Sequence, residues 1–102
     1  MSPILSYTKP MMKIVDGKIW HDGKKVGWID GSHIRDENDV KLGHIEGVFV
    51  CNEGEHHVAY IKKNELVFLN GNAPIPIERI NQEIVGTVPL MTKCAVHVLF
   101  EG

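Results

Sequence analysis

The chain has no long apolar run, no block of like charge and only two cysteines, and each shortage removes a class of explanation. Nothing in it is long enough to span a bilayer. The start, MSPILSYTKPMM, has prolines at 3 and 10 and scattered apolar residues, so it lacks the apolar core of a signal peptide. A cytoplasmic protein with no membrane partner is expected. Its 11 basic and 13 acidic residues are mixed along 102 positions and leave a formal net charge of −2. Nucleic-acid binding driven by counterion release needs clustered Lys and Arg, so nucleic acid is not an expected partner. Cys51 and Cys94 both lie in apolar surroundings, VFVCN and TKCAVHVL, and are read as buried free thiols. A disulfide is the alternative, and it would require their strands to be neighbours.

Signatures of metal binding and catalysis are missing as well. The six histidines, His21, His33, His44, His56, His57 and His97, show no H-x-H spacing, and no C-x-x-C accompanies them. His56 and His57 are consecutive, so in a strand they point to opposite faces and cannot serve one metal. Gly54-Glu55-His56-His57 followed by Glu65-Leu-Val-Phe-Leu-Asn-Gly71 imitates the metal motif of cupins. In that family one residue separates the histidines, and here no second histidine motif follows, so the match is read as a decoy. His57, Glu65 and His97 could still meet in space. Neither cysteine has a basic or helix-N-terminal setting that would lower a thiol pKa, and Ser2, Ser6 and Ser32 sit outside any strained elbow. The ten glycines go to turns rather than to a phosphate loop. No catalytic residue, metal ligand or cofactor is assigned, and an enzyme is not expected.

What the chain does have is repetition. Val26-Gly27-Trp28-Ile29-Asp30-Gly31 returns as Leu42-Gly43-His44-Ile45-Glu46-Gly47 and again as Val58-Ala59-Tyr60-Ile61-Lys62-Lys63. Counting from Gly17, Gly31 and Gly47, the fifth following residue is Asp22, Asp36 or Asn52, each opening a polar turn. The unit therefore reads as a β-hairpin of two short strands, joined to the next by a tight turn. The Asp-Gly pairs at 16–17, 22–23 and 30–31 suit two-residue turns, and the segments between them are too short for stable helices. Helix is excluded for nearly the whole chain. Residues 65–80 continue the rhythm as a degraded fourth copy, with Pro74 and Pro76 expected at an edge or strand start. Glu83 to Val88 and Thr92 to Phe100 are read as closing strands, the latter from the alternation of Cys94, Val96, Val98 and Phe100.

Both faces of the repeated strand carry apolar side chains. Val26, Leu42 and Val58 are assigned to the face of Trp28, His44 and Tyr60, and Gly27, Gly43 and Ala59 to that of Ile29, Ile45 and Ile61. The small residue in every copy marks a sharp bend or the close approach of another backbone. The expected fold is all-β: one domain over 1–102, with three hairpin units of about 16 residues in 11–63 and a degraded repeat with closing strands in 64–102. About nine or ten strands would form an antiparallel meander curled into a small barrel or a two-layer sheet. An elongated single layer or solenoid is the alternative.

The pattern D-G-x-I-x-D-x-x-G-x-x-I-G-x-I, carried by Asp16-Gly17, Ile19, Asp22-Gly23 and Val26-Gly27-Trp28-Ile29, resembles small tandem-hairpin proteins of bacteria that have no established activity. The likeness covers about residues 15–63 and lapses after Lys63. It implies a hairpin meander and no particular function.

The row Trp28, His44, Tyr60, extended by Trp20, is the candidate binding site. Its rings either fill the interior or form an exposed ladder for a protein, a sugar or a flat ligand. The leading expectation is a non-catalytic interaction module acting through this row or a strand edge, on a protein partner or on a second copy as a homodimer. A ligand- or metal-binding barrel, or an enzyme, with a cavity lined by His44, His57, Tyr60 and Glu65 is the second. A phage or mobile-element protein that blocks a host complex is the third, on size alone.

Overall fold

A computed structural model describes residues 12–101; Met1 to Met11, which hold most of the start read above for leader character and the first residue of the hairpin region, and Gly102 lie outside the described residues. The strands are β1 (Met12–Val15), β2 (Lys18–His21), β3 (Lys24–Asp30), β4 (His33–Asp36), β5 (Lys41–Glu46), β6 (Phe49–Asn52), β7 (His57–Lys62), β8 (Glu65–Phe68) and β9 (Ile75–Pro76). Helix α1 (Ile77–Glu83), strand β10 (Ile84–Gly86) and helix α2 (Leu90–Glu101) complete the chain. All ten strands form one sheet in the order β10-β1-β2-β3-β4-β5-β6-β7-β8-β9. Every pairing is antiparallel except β1 with β10.

Turn chemistry sets this meander. Asp16 and Gly17 (φ 50° and 76°) and Asp22 and Gly23 (φ 53° and 79°) take the doubly positive φ of a type I′ hairpin turn. The β4–β5 and β6–β7 turns are longer and are held from within. Asp36 Oδ1 accepts from the N–H of Asn38 and Val40 at 2.8 and 2.9 Å, and Asn52 Oδ1 from those of Gly54 and His56 at 2.9 and 3.0 Å. The repeated Asp or Asn is therefore a turn anchor.

In each unit the register slips by one residue. Ile19 pairs with Gly27 but Trp20 with Lys25; Ile34 pairs with Gly43 but Arg35 with Lys41; Val50 pairs with Ala59 but Cys51 with His57. The extra residues are Val26, Leu42 and Val58, three equivalent β-bulges. All three pack against the core, which corrects their assignment to the face of Trp28, His44 and Tyr60. A bulge places two successive side chains on one side, and strict alternation could not reveal that.

The core lies on the face of Ile14, Ile19, Ile34, Val50, Ala59 and Leu66. Helix α2 packs there across β4, β5 and β6. A Cβ at Gly27 would come within 2.7 Å of Phe100 Cζ and overlap the Arg35 carbonyl oxygen; one at Gly43 would lie 2.9 Å from Leu99 and overlap the Cys51 carbonyl. The small residue thus serves both the close approach of a neighbouring backbone and the seating of α2.

The all-β expectation needs two corrections. Thr92 to Phe100 lies within helix α2, not in a strand: Met91, Cys94, Ala95, Val98 and Leu99 recur at helical spacing, and the apolar Val96 and Phe100 made the same stretch look alternating. Residues 77–83, expected to continue the hairpins, form α1, which starts after Pro76 where proline's fixed φ suits a helix entry. Pro76 does lie in an edge strand, and the closing strand expected at 83–88 is present as the shorter β10.

The sheet is not a closed barrel, since β9 and β10 do not pair. Nor is it flat. Ten strands laid side by side would separate its edges by about 43 Å, yet Pro76 and Ile84 are joined only by α1, a span of about 12 Å. The sheet must therefore curl until its edges face each other across α1. The concave side is filled by α2, whose Thr92, Cys94, Ala95, Val96 and Val98 are all buried.

Candidate functional site

With both helices on the concave side, the convex face remains open to function. Cross-strand register arranges its side chains in rows. Lys13 pairs with Trp20 and Trp20 with Lys25; Lys18 pairs with Trp28 and Trp28 with Arg35. His33 pairs with His44, His44 with Cys51, and Cys51 with His57. Glu46 pairs with Phe49, Phe49 with Tyr60, and Tyr60 with Val67.

Trp20, Trp28, His44 and Tyr60 are all half-buried on this face, away from the core cluster. They do not stack directly on one another, because each bulge shears the sheet and brings other residues between them. Arg35 covers Trp28, its Cζ 5.8 Å from the ring centroid, and its Nε lies 3.8 Å from both Asp30 Oδ2 and Asp39 Oδ1. The rings of His33 and His44 are 5.5 Å apart, and the Nδ1 atoms of both are buried without a hydrogen-bond partner. Phe49 stacks on His57 at 4.1 Å and meets Tyr60 at 5.8 Å. The ladder is thus Trp28–Arg35, His33–His44 and His57–Phe49–Tyr60: three of the four expected residues joined by Arg35, His33, His57 and Phe49, while Trp20 lies in the row of Lys13 and Lys25.

At its His57 end lies a group that spacing along the chain concealed. His57 Nε2 is 2.9 Å from Glu46 Oε1, and the ligand atoms of Glu46, Cys51 and His57 all lie within 4.8 Å of one another. Cys51 is 1% exposed although it lies on the convex face. Burial pushes its thiol pKa up, and the carboxylates of Glu46 and Glu55 push it further. The signal was present in turn length. A two-residue turn at Gly47-Val48 puts His44 opposite Cys51, and the bulge at Val58 puts His57 on Cys51's other side.

The barrel cavity expected from His44, His57, Tyr60 and Glu65 does not exist. These residues face outward, and α2 occupies the concave side. His97 does not approach His57 or Glu65; its Nδ1 lies 3.3 Å from Glu83 Oε1, linking α2 to α1. Cys51 and Cys94 are free and buried, one on the convex face and the other in the core. No helix among the described residues is long and apolar enough to cross a membrane. A cleft of about 470 Å³ beside β1 and β10, lined in part by Lys13, Asp16, Val85 and Thr87, gathers no comparable set of polar groups.

Comparisons with protein-family models, with curated proteins and with solved structures returned no match. The reading of this face therefore rests on its geometry.

Proposed function

We propose that the protein is a non-catalytic binding module that takes a protein partner on the convex face of its sheet, through Trp20, Trp28, His44 and Tyr60. The observation that carries this is the placement of four half-buried rings on the side of the sheet that both helices leave uncovered. Rings with a polar tip bury much area at little entropic cost, which is why they anchor interfaces. Lys13, Lys18, Lys25, Arg35 and Lys41 pair across strands with one another or with the two tryptophans, so the partner surface is acidic around an apolar centre. A strand edge fits less well. β9 has two residues, one of them Pro76, and β10 has three, too few donors and acceptors to template another strand. The likeness to bacterial tandem-hairpin proteins is kept as part of this reading and brings no activity with it.

The test uses wild-type protein, W28A, Y60A and the α1 surface variant E78A as immobilised baits against a lysate of the source organism. The protein retained by the wild type is identified, purified and titrated against each variant. W28A and Y60A are expected to weaken binding by about tenfold or more each, as hot-spot residues do, with E78A unchanged. Equal binding by all four, or retention of a single-stranded oligonucleotide in place of a protein, would overturn the proposal.

A further inference from the structure

Glu46, Cys51 and His57 border the aromatic row, Cys51 pairing with His44 and His57 stacking on Phe49, and invite a different chemistry. They come from β5, β6 and β7, and backbone pairing fixes Cys51 beside His57. A carboxylate oxygen, a thiol sulfur and an imidazole nitrogen within 4.8 Å of one another form a borderline-soft donor set. We propose that these three residues form a zinc site on the convex face, with the fourth position open to solvent.

For the nitrogen and the oxygen the geometry requires little movement. Two ligand bonds of 2.0–2.1 Å at a tetrahedral angle place nitrogen and oxygen about 3.3 Å apart, against the 2.9 Å now separating His57 Nε2 from Glu46 Oε1. The cation takes the place of the hydrogen-bond proton, which moves to Nδ1 of a neutral His57 ring or leaves to solvent from an imidazolium. Cys51 supplies the third bond at about 2.3 Å once it gives up its proton to solvent. A further observation favours a cation here. His44, directly across from Cys51, and His33 beyond it hold buried ring nitrogens without partners in the same row. Since Glu46 and His57 are exposed, the fourth position faces water, as in sites where zinc exchanges a ligand rather than in sealed structural sites. This site does not depend on the binding-module reading, because none of its ligands is among the proposed anchors.

The test is titration of the reduced protein with Co²⁺, which reports a cysteine ligand through a thiolate-to-metal absorption band, followed by Zn²⁺ displacement and native mass spectrometry with and without chelator. The wild type is expected to show the band, lose it to Zn²⁺, and carry one chelator-sensitive zinc. C51S abolishes the band. E46Q and H57Q should each weaken binding by more than about tenfold, the cost of losing even a residue that merely supports a ligand. C94S, with its sulfur in the core, and H56A, in the β6–β7 turn just before His57, should leave it unchanged. Circular dichroism of every variant establishes that the fold persists, and E46Q, changed at an exposed carboxylate, keeps the test decisive if C51S does not fold. Absence of a thiolate band in folded wild type, or equal binding by E46Q, H57Q and wild type, would overturn the site.

Discussion

At Gly43 the fit between sheet and helix narrows to a single hydrogen atom. A methyl group there overlaps the Cys51 carbonyl and presses on Leu99, so nothing flexible on the strand side can yield. G43A is expected to lose about 2 kcal/mol of stability, within the usual cost of overpacking. A59G, in the equivalent position one unit later, should lose about 1–1.5 kcal/mol, from glycine's extra freedom in a strand interior and the loss of one buried methyl. Denaturant midpoints of the two variants decide the comparison. Cys94 offers a second test at this scale. Burial pushes its pKa from an ordinary 9.0 up to about 11, so the folded state holds the thiol proton more tightly than the unfolded state. The resulting stabilisation is complete below pH 9 and disappears as pH rises through 11, on the order of 2–3 kcal/mol. Denaturation of wild type and C94A at pH 8 and pH 11 should show wild type losing more between the two.

Among the elements, the hairpins were legible and the helices were not, for reasons that lie in particular residues. Asp16-Gly17 and Asp22-Gly23 announce their turns because few other pairs tolerate two positive φ values in succession. Asp36 and Asn52 announce theirs through side chains that accept two backbone N–H groups each. N52A should therefore cost about 1 kcal/mol and speed hydrogen exchange at Gly54 and His56, with little change in β2 and β3. Helix α2 went unread because its sequence is apolar at both periods. Only packing against Gly27 and Gly43 selects the helical one. The candidate face divides in the same way. Repetition alone brings Trp28, His44 and Tyr60 to notice, whereas Glu46, Cys51 and His57 meet only after two turn lengths and a bulge have been counted.

For the whole molecule, the connection between the sheet's two edges has a consequence for how such a protein can evolve. Tandem repeats ordinarily lengthen or shorten freely, because each copy touches only its neighbours. Here a single seven-residue helix ties the last hairpin strand to the strand that pairs with the first, like the clasp of a bracelet. One more unit would add two strands, about 10 Å of arc, nearly as much as the clasp itself spans. The number of hairpins is therefore a closed quantity. A lineage can change the residues displayed on the outside of the ring, but it cannot change the count without also making a new clasp and a new filling.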